Sequence, residues 1–202
     1  MGLRSEEGGS ESRFAAYVEA IASALGHADR MAPFGSYCAG LLLPGDRKSV
    51  EPIAARVQPG RVRAAHQSLH HLVAKANWSD AAVLEAVRAR VLPAIQQAGP
   101  IEAWIIDDTG FPKKGTHSVG VARQYCGQLG KQDNCQVAVS LSVANEQASL
   151  PVAYRLYLPQ AWADDTGRRA GAGVPDAVRF ATKPQIALAQ IATAQADGIP
   201  PG

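Results

Sequence analysis

The spacing of the apolar residues changes near residue 99, and this change divides the chain into a helical part and a part that contains strands. Before that point apolar residues recur every three or four positions, as they do on one face of an α-helix. Five such segments, separated by Gly and Pro, predict a compact helical domain over residues 13–99. Residues 1–12 carry no apolar stripe, so we expect them to form a disordered tail.

Local start and stop signals mark the predicted helices. Ser49 can cap the third helix, and Pro52 is tolerated in the first turn of that helix. Ser79 can cap the fifth helix. Pro93 is expected to end the fifth helix, since proline has no N–H to donate within a helix.

Beyond Gly99 and Pro100 the spacing changes to a short apolar run, as in a buried strand, followed by two segments with the period of two that is typical of β-strands. The predicted strands cover residues 101–106, 135–143 and 150–158, and a long loop rich in Gly, Asp and Arg follows over 159–175. A last helix is predicted from about Thr182 to Ala196. Three antiparallel strands and a helix over residues 100–202 indicate an α+β fold. The order fits the opening of an RNase H-like domain, and it also fits several other α+β folds.

Composition excludes several classes of protein. No apolar run approaches the roughly 20 residues of a membrane span, and the first residues lack the apolar centre of a secretory signal. The three cysteines have no C-x-x-C spacing, which disfavours a zinc site or a disulfide framework and favours free thiols in a reducing cytoplasm. We therefore expect a cytoplasmic protein with no membrane contact.

A basic segment lies between Asp46 and Lys75, where six basic residues accompany two acidic ones. A short helix, a Pro-Gly turn and a longer helix are typical of a helix-turn-helix, whose second helix enters the DNA major groove. A solvated helical face with ordinary cations explains the same pattern equally well. If the segment binds DNA, its candidate residues are Arg47, Lys48, Arg61, Arg63, His66 and Lys75.

Two adjacent aspartates follow the first predicted strand in the run WIIDDTG, Trp104 to Gly110. A carboxylate at the end of a buried strand is costly without a metal ion or several donors, and phosphoryl-transfer enzymes use such a group to hold Mg²⁺. Because strand side chains alternate, only one of Asp107 and Asp108 can face a metal. Both aspartates could instead begin a turn with Thr109 and Gly110.

The stretch IIDDTGFPKKGTHSVGVARQYCGQLGKQDNCQVAVSLSVAN, residues 105–145, closely resembles the start of the catalytic domain of DDE-type transposases from bacterial insertion sequences. It is most similar to the branch of DDE superfamily endonucleases, and the resemblance extends over nearly all of residues 13–200. The resemblance implies an RNase H-like fold and a centre of two Asp and one Glu that binds Mg²⁺ or Mn²⁺. It also implies DNA strand cleavage and strand transfer at transposon ends.

On this pattern the first metal-binding aspartate is Asp108, with Asp107 as the second choice. Four cations downstream suit the binding of DNA phosphate beside the metal: Lys113, Lys114, Arg123 and Lys131. The family's second Asp and its Glu have no counterpart in these 202 residues, because the later carboxylates fall in predicted loops or turns.

Since one carboxylate holds Mg²⁺ weakly, the resemblance implies an N-terminal transposase fragment that binds DNA but is catalytically incomplete. The alternative is a non-enzymatic DNA-binding module that represses or competes with full-length transposase. The expected partners are transposon ends, target DNA, and a second copy or a full-length transposase, all at the nucleoid in the cytoplasm. A sheet without its central strand is also expected to expose Val137, Val139 and the terminal helix.

Overall fold

The computed structural model describes residues 3–202, with side chains from residue 9 onward. The chain forms two compact units, one ending at Val91 and the other running from Leu92 to Gly202. The first is helical, and the second holds the sheet, so the α+β class predicted from the sequence is confirmed.

Five helices make up the helical unit, and the last of them continues into the second unit: α1 Leu3–Ala22, α2 Met31–Leu42, α3 Val50–Val57, α4 Val62–Ala74 and α5 Asp80–Ala98. Ile53 and Ala54 of α3 pack against Ala65 and Leu69 of α4. A second apolar cluster joins the end of α1 to Leu72 of α4. The amphipathic stripes predicted from the sequence therefore form the interior of this unit.

The helix ends differ from the sequence prediction at two places. Helix α1 begins at Leu3, so residues 3–12 of the expected disordered tail have helical backbone; residues 1 and 2 lie outside the described part. Helix α5 continues through Pro93 instead of ending there. Beyond the proline, Ile95 is buried, and the Asn145 amide donates to the Ile95 and Gly99 carbonyls at 3.0 Å each, which stabilises the last turn.

The second unit contains four strands and three helices: β1 Ala103–Pro112, β2 Ala122–Cys126, β3 Lys131–Ala144, β4 Ser149–Leu156, α6 Gln160–Ala163, α7 Thr166–Gly171 and α8 Lys183–Ala196. All strand pairs are antiparallel, and β3 pairs with each of the other three strands. The sequence predicted three strands and missed β2, because its Arg and Gln interrupt the apolar alternation. The predicted loop over 159–175 contains α6 and α7.

Alternate residues of β3 form the interior of the second unit. Val137, Val139, Leu141 and Val143 are each at most 1% exposed. Helix α8 packs near this strand, and the Gln190 amide donates to the Val139 carbonyl at 3.0 Å. The expectation that Val137 and Val139 are exposed is therefore wrong, because they are covered within the unit.

The expected exposure of the terminal helix holds at Leu188 of α8, and further exposed apolar side chains of this unit include Ile105, Ile106 and Phe111 of β1 and Tyr154 and Leu156 of β4. No helix in the described part of the chain has the length and apolar character needed to cross a membrane.

Trp162 of α6 anchors the segment that follows the sheet. Its side chain is 1% exposed and packs against Val121 and Leu158. The indole N–H donates to the Val121 carbonyl at 2.8 Å, and the Arg168 guanidinium lies 3.6 Å from the ring centroid. Tryptophan can be buried here because its one polar group has a partner.

Candidate active site on strand β1

Asp107 and Asp108 lie in the middle of strand β1, not at its end. Asp107 is paired in register with Ser140 and Asp108 with Val139, and the pairing continues to Pro112. The alternative in which both aspartates begin a turn with Thr109 and Gly110 is therefore wrong. The predicted strand end at residue 106 is also wrong, because pairing with β3 extends β1 through the polar residues.

Gly110 belongs in this strand because another strand lies directly against it. A Cβ atom at Gly110 would come within 3.0 Å of the Cys126 Cα and 2.9 Å of its Sγ. Gly110 has no positive φ, so a turn conformation is not the reason for a glycine at this position. The reason is the close approach of β2.

The two aspartates point to opposite faces of the sheet. Directly paired residues of antiparallel strands share a face, so Asp108 lies on the face of Val139 and Asp107 on that of Ser140. The Asp107 carbonyl accepts a long hydrogen bond, 3.5 Å, from the Ser140 hydroxyl. Asp108 therefore lies on the side of the sheet that carries the buried apolar residues of β3.

Lys183, the first residue of α8, forms an ion pair with Asp108. Its Nζ lies 2.6 Å from Asp108 Oδ2 and 5.7 Å from the centroid of the Tyr157 ring. The side chains are 42% exposed for Asp108 and 32% for Lys183, so solvent reaches the pair.

A cavity of about 340 Å³ surrounds this ion pair. It is lined by Ile106, Asp107, Asp108, Val139, Lys183, Pro184 and Ala187. A larger cavity of about 550 Å³ lies near Trp104 and Ile199, but neither aspartate lines it. The smaller cavity is the candidate site, because it combines opposite charges with an apolar wall.

Sequence reasoning did not identify Lys183 as a site residue. The Thr182 hydroxyl accepts from the Gln185 N–H, and the Gln185 side chain accepts from the Thr182 N–H, which is a capping box. The pattern Thr-x-x-Gln could have placed Lys183 in the first turn of a helix. No local pattern could have paired it with Asp108, which lies 75 residues earlier.

The donors around Asp108 do not by themselves fit a Mg²⁺ ion. Among the described side chains, residues 9–202, there is no group of three or more His, Cys, Asp or Glu placed to hold a metal. Mg²⁺ requires oxygen ligands in octahedral geometry, and here the carboxylate has an ammonium group beside it. Asp133, expected in a loop, lies in β3 and pairs with Lys131 at 3.0 Å.

Four cations predicted to bind phosphate lie along one end of the sheet. Lys113 and Lys114 follow β1 directly, in a loop that Asn134 holds through bonds to the Lys113 and Gly115 carbonyls. Arg123 is exposed on β2 and is paired in register with Asn134. Lys131 is committed to Asp133, whose pKa is lowered first by the Asn134 backbone N–H and then by Lys131.

The basic residues of the helical unit lie around α3 and α4. The Arg56 guanidinium donates to the Arg47 carbonyl at 2.9 Å, and the Lys48 ammonium to the Leu43 carbonyl, so both bonds fix the turn before α3. The turn between the helices, Pro59–Arg61, carries Arg61. The rest lie on or after α4: Arg63, His66, whose ring stacks on His70 at 6.0 Å, and Lys75.

Comparisons with known proteins identify a family and a relative of this chain. Residues 20–202 match the family described as DDE superfamily endonuclease. The chain is 34% identical over 132 residues to the probable transposase for insertion sequence element IS701 of Microchaete diplosiphon. That alignment covers 65% of this chain and 31% of the relative, so it spans about a third of the relative's length.

Proposed function

The chain belongs to the DDE superfamily endonucleases, and we propose that it is the part of an insertion-sequence transposase that binds DNA and supplies the first catalytic carboxylate. The resemblance of residues 105–145 to this family is confirmed. The observation that carries the proposal is the position of Asp108 in the middle of a paired strand, facing a cavity of about 340 Å³.

The whole transposase would cleave DNA and transfer strands at transposon ends with Mg²⁺ or Mn²⁺. Divalent metal ions are general to this family. We assign Asp108 as one ligand, with Asp107 second because it lies on the other face, and we assign the further carboxylates to residues outside these 202. The RNase H-like fold is part of this proposal, supported by four antiparallel strands that lead into helix α8.

DNA binding is assigned to the helical unit, through α3, the Pro59–Arg61 turn and α4. Two observations support this assignment. The arginines Arg61 and Arg63 are exposed at the turn and at the start of α4, where a helix-turn-helix meets DNA. The bonds of Arg56 and Lys48 to backbone carbonyls also hold the turn before α3 in place. With DNA as its partner, the protein is proposed to act in the cytoplasm, at the nucleoid.

A salt-dependent binding assay on the 202-residue polypeptide tests this assignment. Arg63→Gln should weaken binding to duplex DNA and reduce the slope of log K against log salt by about one. Arg90→Gln is the matched control, because Arg90 is an exposed arginine on α5 and its loss changes the net charge equally. Equal effects of the two substitutions, or no binding by the wild type, would remove the proposal.

A second candidate function is that of a non-enzymatic competitor or repressor of full-length transposase. It is favoured by the absence of a three-ligand metal group among the side chains that the structure describes, those of residues 9–202. Such a competitor must prefer insertion-sequence ends to random DNA, so equal affinity for both duplexes in a gel-shift assay eliminates it. Pairing of this chain with a second copy or with full-length transposase stays a prediction.

A further inference from the structure

We propose that Lys183 is a ligand for a DNA phosphate and that its ammonium group is paired with the Asp108 carboxylate until DNA binds. In the chain alone the ammonium binds the Asp108 carboxylate at 2.6 Å. In the complex a non-bridging phosphate oxygen takes the place of that carboxylate. This inference rests on the proposed DNA-binding function and adds a residue and a ligand class to it.

The exposure of the pair makes such an exchange possible. Both side chains are more than 30% exposed, and ion pairs at this level of exposure contribute little net stability. An anion that enters the cavity can therefore compete with the carboxylate for the ammonium. A fully buried pair would resist exchange, because either partner would lose its counter-charge away from water.

The backbone of Lys183 is fixed while its ammonium group is free to change partners. The capping box of Thr182 and Gln185 orders the first turn of α8, and Pro184 restricts the backbone further. The positive end of this 14-residue helix adds to the attraction that a phosphate experiences beside Lys183. Tyr157, whose ring centroid lies 5.7 Å from the ammonium, keeps the cation at this edge of the cavity.

The charges in the cavity determine whether each substitution should strengthen or weaken DNA binding. Lys183 is the cation among the described lining residues, and Asp108 is the carboxylate that faces it, because the Asp107 side chain points to the other face of β1. With Asp108 ionised the ammonium is already neutralised, so phosphate is attracted weakly. Removing the charge of Asp108 should free Lys183 and tighten DNA binding, whereas removing Lys183 should abolish that gain.

The experiment measures binding of a fluorescently labelled random-sequence duplex by anisotropy at several salt concentrations. It compares the wild-type chain with Asp108→Asn, Lys183→Gln and the double variant. We expect Asp108→Asn to lower the Kd for DNA by about two- to fivefold. This ratio of Kd values is what the free energy of one exposed ion pair gives when it no longer competes with DNA. In the Lys183→Gln background the same substitution should have no such effect, and Lys183→Arg should retain it.

Asp107→Asn is the matched control, because it removes the same charge from the neighbouring position on the other face of β1. If it tightens binding as much as Asp108→Asn does, or if the gain persists without Lys183, the gain is a general charge effect and the inference fails. Binding by the wild type then leaves the proposed function intact. If no variant binds DNA, the proposed function and this inference fail together.

Discussion

The substitution Gly110→Ala tests whether β1 continues through the DDTG run and packs against β2. The new methyl group would lie 3.0 Å from the Cys126 Cα and 2.9 Å from its Sγ. The Cα belongs to the backbone, so the contact cannot be relieved by a side-chain rotation. Either β2 must move away from β1 or the strand must bend, and both reduce the packing of the sheet.

The expected loss follows from two opposing effects. Overpacking of this kind destabilises a fold by about 1–3 kcal/mol. Replacing Gly by Ala also stabilises the fold by about 0.4–1 kcal/mol, because it reduces the conformational entropy of the unfolded chain. The net destabilisation lies between about 0 and 2.6 kcal/mol, with a central value of about 1.3 kcal/mol. For a unit of about 110 residues, Leu92 to Gly202, this central value lowers the melting temperature by roughly 5–6 °C.

Thermal unfolding followed by tryptophan fluorescence measures this loss, because Trp104 and Trp162 both lie in the second unit. Gly127→Ala is the matched control: a Cβ there meets no atom within 4 Å, and its φ is not positive. The control should change the melting temperature little. If Gly110→Ala is as stable as Gly127→Ala, strand β1 does not pack against Cys126 and the placement of the aspartates is wrong.

Three further predictions concern the same chain. Thr182→Ala should destabilise the fold by about 1 kcal/mol in urea unfolding, whereas Ser49→Ala should cost a few tenths, because the Ser49 hydroxyl makes no capping bond. Trp162→Phe leaves a buried carbonyl without its donor and should cost about 1–3 kcal/mol in the same assay. Because the pKa of Asp133 is lowered in the folded chain, its ionised carboxylate stabilises the fold above the ordinary carboxyl range, and this stabilisation is lost as the pH falls through the lowered pKa. Carboxyl titration by NMR should therefore show a higher midpoint for Asp133 in Lys131→Met.

The helical unit was largely predictable, because its helices carry their own signals. The apolar spacing located α1 to α5, and Ser79 begins α5 through its hydroxyl, which accepts from the Ala82 N–H at 3.1 Å. Pro93 misled the prediction, since a proline costs one bond and neighbouring contacts compensate for it.

The sheet was less predictable, because strand ends depend on partners elsewhere in the chain. The run Asp107 to Gly110 has the composition of a turn, yet pairing with β3 keeps it extended. The ion pair of Asp108 with Lys183 joins positions 75 residues apart, and only the packing of α8 brings them together. The sequence thus pointed to the carboxylate that we propose as a metal ligand, but not to the cation that faces it.

The most direct test of the account is an assay for nicking of a duplex that contains an insertion-sequence end. The 202-residue polypeptide is purified and incubated with this DNA and Mg²⁺ or Mn²⁺, and binding is measured in parallel. Because the described side chains, residues 9–202, include no group of three metal ligands and the Asp108 carboxylate is paired with Lys183, we predict binding with no nicking. Metal-dependent nicking that disappears in Asp108→Asn would contradict it.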